Sequence, residues 1–327
     1  MIRILNRNAD GHLQTDVPLS ELGNLLEDAR SAVWVDLFAE PAELCEPILK
    51  TTFRFHPLAV DDALRWSHVP RLDDWDAYVY VVLHSAILQR NGAEVELAEL
   101  DIFLGRNYLV THHDKPMPAV DAVWTRSQQD DRLLRSGPDR LLHAIADAMV
   151  MEYIPIIEQI DDEIDKIENE IFDHPSPKTL ATLFDLKRAV IYMRRTIGPQ
   201  REVFNRLARD EFDVVMPKSR VYFRDIYDHL VRLHDSTESM RDLVSGAVDT
   251  YLSVVNNRLG DVMKTLTIIT TLFMPISFLA SFFGMNFFQP SVPLHSWTSH
   301  ISLYATLGVM LLVPLAMYFW VRRRGWT

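Results

Sequence analysis

The sequence predicts a mixed α+β (α/β) N-terminal domain, followed by long helices and two C-terminal transmembrane helices. Short runs rich in β-branched and aromatic residues alternate with helical stretches over residues 1–125. Apolar residues then recur at helical spacing through residues 126–264. Finally, residues 265–321 contain no Asp, Glu, Lys or Arg, which favours membrane-spanning segments near the C-terminus.

The domain predicted for residues 1–125 contains four strand-like runs and two helical ones. Val, Ile, Tyr and Phe are concentrated in the strand-like runs, at residues 33–38, 78–88, 99–105 and 108–113. Residues 40–52 and 57–65 favour helices. This mixture indicates an α+β or α/β domain, which we expect in the cytoplasm because residues 1–14 lack the apolar core of a signal peptide.

Residues 126–221 predict a helical hairpin. Residues 174–177, His-Pro-Ser-Pro, mark the turn and the start of a new helix. Isoleucines in the first arm are spaced four, three and four residues apart, which predicts a buried stripe with a solvated acidic face opposite: Ile160, Ile164, Ile167 and Ile171. An alternative reading of the acidic face is that it attracts cations.

Residues 222–283 predict one long helix whose last part, about residues 266–283, is the first membrane span. Apolar residues from Phe223 to Val254 alternate steps of three and four, and no proline lies between residue 222 and the span. A helix of this length would measure about 93 Å. It would connect a cytoplasmic domain mechanically to the membrane.

The second predicted span covers residues 301–321, after an external loop at 284–300. Arg258 and Lys264 precede the first span and a basic tail, residues 322–327, follows the second, whereas the loop contains neither Lys nor Arg. The positive-inside rule therefore places both termini in the cytoplasm, as expected of a multi-pass protein of the cell (inner) membrane.

Charge and motifs narrow the functional classes. The chain carries a net charge of −12 and Arg322, Arg323 and Arg324 contribute +3, so residues 1–264 carry −15. This balance argues against nucleic acid as a partner and suits a protein that meets cations. No Gly-rich nucleotide loop occurs, and the adjacent His112 and His113, which end a strand before Asp114, should point to opposite faces. We therefore expect no enzyme activity and no cofactor.

One face of the long helix could line an ion pathway. Small, hydroxyl and methionine side chains recur on it at steps of three and four: Met263, Leu266, Thr270, Met274, Ser277 and Ser281, preceded on the same face by Asp249, Ser253, Asn256 and Gly260. Helix packing in the membrane would favour the same residues. Transport would require several copies around an axis, because one pair of spans cannot enclose a pathway.

These features together resemble the CorA family of magnesium and cobalt transporters. The resemblance covers nearly the whole chain and rests on HPLAVDDAL at residues 56–64, IDDEID at 160–165, YFRDIYDH at 222–229, and VMKTLTIITTLFMPISFLASFFGMNF at 262–287. It implies a funnel-shaped homopentamer in the lipid bilayer, with the first spans inside and the second spans outside. Mg²⁺ would be both the transported and the regulatory ion.

The resemblance also implies residue roles. Gly284, Met285 and Asn286 would form the selectivity filter, with Asn286 binding hydrated Mg²⁺ at the outer mouth. Met263, Leu266 and Met274 would form an apolar gate, and Thr270, Ser277 and Ser281 polar pore positions. Asp225 would bind regulatory Mg²⁺ at a subunit interface, with Asp76 as its partner and Asp147 as a further ligand.

Two positions depart from the family pattern. The loop at 287–297 has no acidic residue, and Gly260 stands where asparagine is frequent in the family. The leading hypothesis is a Mg²⁺ channel, also passing Co²⁺ and Ni²⁺ down the electrochemical gradient and gated by intracellular Mg²⁺. A ZntB-like Zn²⁺ transporter and a membrane-tethered sensor or scaffold without transport are the alternatives.

Overall fold

The computed structural model describes residues 1–15, 17–66, 69–88, 95–285 and 300–323. The chain divides into two compact units, Met1–Asp249 and Thr250–Thr327. The first unit contains one mixed sheet with helices packed on it, and the second contains the two C-terminal hydrophobic segments. The mixed α/β domain, the long helices and the two apolar C-terminal segments agree with the fold class that the sequence predicts.

A seven-stranded sheet forms the centre of the first unit. Its strands are β1 (Ile2–Arg7), β2 (Leu13–Thr15), β3 (Ala32–Phe38), β4 (Arg71–Asp74), β5 (Val79–Leu88), β6 (Val95–Leu104) and β7 (Tyr108–His113). The order is β2-β1-β3-β7-β6-β5-β4, and among the strands of the described residues β3 and β7 pair in parallel while the other neighbours are antiparallel. The four predicted strands are β3, β5, β6 and β7. Strands β1, β2 and β4 lack an equally strong pattern of apolar residues.

Side chains along each strand point alternately to the two faces of the sheet, and helices cover both faces. On one face, Tyr80 on β5, Phe103 on β6 and Val110 on β7 join the apolar core beneath the N-terminal helices. These helices are α1 (Leu22–Glu27), α2 (Ala42–Pro47), which continues as a π-helical turn at Ile48–Thr52, and α3 (Pro57–Ala63). The two predicted helical stretches, 40–52 and 57–65, are thus confirmed.

The other face of the sheet is covered by the helices that follow β7. They are α4 (Pro118–Gln129), α5 (Arg132–Ser136), α6 (Pro138–Asp173) and α7 (Pro177–Arg209). Trp34 of β3 is fully buried there, where its indole donates a hydrogen bond to Thr111 at 3.0 Å and packs on Trp124. Burial of such large aromatic surfaces anchors α4 to the sheet.

Helices α6 and α7 form the predicted hairpin. The Ser176 hydroxyl accepts the backbone N–H of Thr179, and the Thr179 hydroxyl accepts that of Ser176, which closes a capping box at the start of α7. The four isoleucines of the first arm are buried, as predicted. Asp161, Asp162 and Asp165 are exposed, so the acidic face is solvated.

Helix α8 (Arg220–Gly284) and helix α9 (His300–Arg323) complete the chain. The predicted heptad stripe on α8 is buried from Phe223 to Tyr251, with only Leu233 partly exposed. By length and composition, residues Pro217–Phe282 and Leu303–Arg323 contain segments able to cross a membrane, and almost none of their residues is buried. Exposed apolar helices of this length are typical of membrane spans rather than of a globular core.

Candidate functional site

The predicted filter motif follows directly after α8. Gly284 is the last residue of the helix, and the backbone N–H of Met285 still donates to the Phe282 carbonyl at 3.4 Å. Asn286, the residue to which the sequence assigns ion binding, lies outside the described residues. The described part of the motif therefore places the end of α8 at the residues where the sequence predicts the filter to begin.

The predicted pore face is exposed along its length within the single chain. Met263, Leu266 and Met274 show more than half of their surface, and Thr270, Ser277 and Ser281 are also exposed. The Thr270 hydroxyl donates to the Leu266 carbonyl at 2.9 Å, which satisfies it inside the helix. Other faces of this segment are exposed as well, so burial within one chain does not distinguish the predicted face.

Of the three candidate regulatory aspartates, two lie in the same region of the first unit. Asp147 is on α6, where it lines a cavity of about 270 Å³, and Asp225 is on α8, where its carboxylate lies 3.8 Å from the His229 imidazole. Both carboxylates act on the imidazole of His143. The structure therefore brings Asp147 and Asp225 to opposite helices around one histidine.

The third aspartate, Asp76, lies in the turn between β4 and β5. Its backbone has a positive φ of 59°, and its N–H donates to the Asp74 carboxylate at 3.1 Å. Aspartate tolerates this left-handed conformation better than most residues. Among the described residues, no three His, Cys, Asp or Glu side chains are grouped so as to hold a metal ion. Asp76, Asp147 and Asp225 thus do not form such a site within one chain.

The cavity beside Asp147 also contains cationic and aromatic groups that the sequence analysis did not single out. Arg140 places its guanidinium carbon 3.3 Å from the centroid of the Tyr222 ring, and His143 contacts the same ring at a centroid distance of 5.3 Å. Arg126 forms another part of the wall. The spacing of Arg140, His143 and Asp147 by three and four residues on α6 is the sequence signal that could have revealed this shared face.

His143 reports the electrostatics of this region. Burial lowers the pKa of His143, and the positive charge of Arg140 lowers it further, whereas the carboxylates of Asp147 and Asp225 oppose both effects. The charges of all three residues are therefore close enough to act on one imidazole. A cation entering the cavity would meet the Asp147 carboxylate and the Arg140 guanidinium, which both line it.

The adjacent histidines at the end of β7 lie on opposite faces of the sheet. His112 lies 3.5 Å from the Asp101 carboxylate, and His113 lies 3.4 Å from that of Asp36. The Tyr80 hydroxyl donates to Asp101 at 2.5 Å. Both histidines are buried and each faces a carboxylate, so their role is in the structure of the sheet domain.

Comparison with known proteins identifies the family. The family described as CorA-like Mg2+ transporter protein matches residues 29–323. The cobalt/magnesium transport protein CorA of Thermotoga maritima is 35% identical over 276 residues, which cover 84% of this chain and 77% of that protein. The protein of the same name from Methanocaldococcus jannaschii is 23% identical over the full length of both chains.

Solved structures show the same fold. The complete structure of the CorA magnesium transporter from Methanocaldococcus jannaschii superposes with a TM-score of 0.84 at 17% identity, covering 100% of this chain and 99% of that one. The cytoplasmic domain of ZntB from Vibrio parahaemolyticus gives a TM-score of 0.59 at 15% identity, over 79% of this chain and 98% of that one. The chain belongs to the CorA family of metal ion transporters, which are membrane proteins and not enzymes.

Proposed function

We propose that this protein is the subunit of an oligomeric Mg²⁺ channel that also passes Co²⁺ and Ni²⁺ and closes when intracellular Mg²⁺ is high. The observation that carries the proposal is the pair of exposed apolar C-terminal helices, with a Gly-Met-Asn motif after the first, in a chain of the CorA family. A cobalt/magnesium transporter 35% identical to this chain supports the choice of ion.

The pathway requires several copies of the chain. One pair of helices cannot enclose an aqueous channel, whereas a closed ring of first spans can. The family resemblance suggests five copies, with α8 lining the pore and α9 facing lipid. The uncharged face of α9, rich in Leu, Ile and Val, suits such an outer position.

The pore would combine an apolar constriction with polar rings. Met263, Leu266 and Met274 carry no hydrogen-bonding group that replaces water around a cation, so rings of these side chains would gate by excluding water. Rings of Thr270, Ser277 and Ser281 hydroxyls would offer oxygen atoms to a hydrated ion. Gly260 leaves the position below Met263 without a polar side chain, so selectivity would depend on the other rings.

Asn286 would select the ion at the outer mouth, with Gly284 and Met285 shaping the turn that presents it. Mg²⁺ gives up its water reluctantly, so a ring of neutral amides can bind the hydrated ion and still release it. Because the loop at 287–297 contains no Asp or Glu, this ring would be the main point of cation capture. Both termini would lie in the cytoplasm, so the pore opening with the Asn286 ring would lie on the outer side of the membrane.

Regulation would depend on Asp225, with Asp147 and Asp76 as further ligands from the same or a neighbouring subunit. Mg²⁺ in proteins commonly keeps several waters and takes one or two carboxylates. Asp147 and Asp225, which act on the same histidine, fit this requirement. Asp76, in its exposed turn, would contribute only across a subunit interface.

Ion flux into liposomes tests the proposal. We expect Mg²⁺ uptake by the reconstituted native protein and its loss in Asn286→Ala. Zn²⁺ uptake that depends on a proton gradient, without Mg²⁺ uptake, would instead establish a ZntB-like transporter, the alternative that the fold of the ZntB cytoplasmic domain also supports. Absence of flux for either ion would contradict both and favour a sensor or scaffold.

A further inference from the structure

We propose that Arg140 sets the Mg²⁺ concentration at which the cytoplasmic domain responds. Its guanidinium is a fixed positive charge that weakens divalent-cation binding at Asp147 and Asp225. This inference rests on the proposed regulatory role of those two aspartates. It adds a residue that determines the affinity of the site but does not bind the ion.

Arg140 is held in place without an ion pair. Its guanidinium carbon lies 3.3 Å from the centroid of the Tyr222 ring, and within the part of the chain that the structure describes Arg140 forms no salt bridge. One guanidinium nitrogen, Nη1, is buried and has no hydrogen-bond partner among the described residues. A cation–π contact of this kind stabilises the charge in one position without a direct ion pair.

The position of this charge is next to the two aspartates. Arg140, His143 and Asp147 share one face of α6, and they line the same cavity of about 270 Å³. Tyr222, on which Arg140 stacks, lies three residues before Asp225 on α8. Arg140 therefore contacts α8 about one helical turn from Asp225, and it lines the same cavity as Asp147.

Coulomb's law gives the size of the effect. Repulsion between a single positive charge and a divalent ion about 8 Å away weakens binding about six-fold in a water-like medium at low salt. Screening at physiological ionic strength reduces this to about two-fold. Arg140 would therefore raise the Mg²⁺ concentration needed for inhibition, so that the channel remains open until the cell contains more Mg²⁺.

If the charge of Arg140 weakens Mg²⁺ binding, neutral replacements should change the affinity and a charged replacement should not. Comparing the two kinds of variant separates the effect of charge from that of side-chain packing. Arg140→Met and Arg140→Gln remove the charge and retain much of the side-chain length. Arg140→Lys keeps the charge and loses the planar stacking group. Arg135→Met is a matched control, because Arg135 is exposed on α5 and does not line the cavity. Asp225→Asn tests the site itself.

The experiment titrates each full-length protein with Mg²⁺ in detergent at low salt. It determines the half-saturating Mg²⁺ concentration, the Kd, by fitting the rise in the thermal unfolding midpoint, since a ligand that binds only the folded state stabilises it by RT ln(1 + [L]/Kd). We expect this concentration to fall two- to six-fold in Arg140→Met and Arg140→Gln. It should stay near the native value in Arg140→Lys and Arg135→Met.

Two results would overturn the proposal. One is an unchanged or higher half-saturating concentration in both neutral variants. The other is a shift in Arg140→Lys equal to that in Arg140→Met, which would show that packing and not charge is responsible. An unchanged half-saturating concentration in Asp225→Asn would contradict the regulatory site itself. A changed concentration in Asp225→Asn, with no change in the neutral Arg140 variants, would contradict only the role of Arg140.

Discussion

Replacing Asp101 with asparagine removes the carboxylate that faces a buried histidine. The Asp101 and His112 side chains are 3% and 5% exposed, and their charged groups lie 3.5 Å apart. Burial acts to lower the pKa of His112, but the nearby Asp101 carboxylate, with a smaller contribution from Cys45, raises it to about 10. For Asp101, burial acts in the opposite direction and raises the pKa of the carboxyl group to about 6. The pair is therefore ionised at neutral pH.

This geometry predicts a pH dependence of stability. His112 has a higher pKa in the folded protein than its ordinary 6.5, so its contribution is fully present below pH 6.5 and is lost as pH rises towards 10. Between pH 7.5 and pH 9 the loss is about 2 kcal/mol. In Asp101→Asn this pH-dependent contribution disappears, because no carboxylate then favours the charged form of the histidine.

The assay is thermal unfolding of the detergent-solubilised protein at pH 7.5 and pH 9. We expect the native midpoint to fall by about 4–8 °C more than that of Asp101→Asn over this interval. Asp10→Asn, which neutralises an exposed carboxylate in the turn between β1 and β2, should behave like the native protein. Equal pH dependence in native protein and Asp101→Asn would refute the ion pair.

Three further predictions concern the helices. Ile164 is fully buried between the hairpin arms, so Ile164→Ala should lower the free energy of unfolding by about 2–5 kcal/mol and Ile164→Val by about 1 kcal/mol. Denaturant unfolding measures both values, and an equally small loss in the two variants would contradict this packing. Ser176→Ala should cost about 1 kcal/mol in the same assay by removing the cap of α7, and no loss would count against the capping box. Asp225→Ala should leave Mg²⁺ flux into liposomes open at millimolar internal Mg²⁺, whereas native-like inhibition would argue against Asp225 as a sensor.

The sequence predicts the helices of this protein more completely than its sheet. The isoleucine spacing on α6 and the heptads on α8 each correspond to a buried stripe, because a helix with one apolar face must pack that face. Strands such as β2, with three residues of mixed polarity, depend on pairing with β1 for their structure. A short strand that is formed by pairing with a neighbour and lies away from the core needs no regular alternation of apolar and polar residues, so its sequence does not predict it.

The candidate sites divide in the same way. Gly284 and Met285 were found from a motif at the end of a hydrophobic run, and they lie at the end of α8 as that pattern suggests. The contact between Arg140 and Tyr222 leaves no pattern in the sequence, since it depends on the packing of α6 against α8, two helices separated by the whole of α7. Contacts of this kind arise from tertiary structure, which one sequence does not encode as a local pattern.

Mg²⁺ uptake into liposomes that contain the reconstituted protein, with low Mg²⁺ inside, tests most directly whether this protein is a Mg²⁺ channel. We predict saturable uptake by the native protein, loss of uptake in Asn286→Ala, and native uptake in Asn257→Ala, which changes an asparagine of α8 outside both the filter motif and the predicted pore face. Native-like Mg²⁺ uptake in Asn286→Ala, or no uptake by the native protein, would contradict the account.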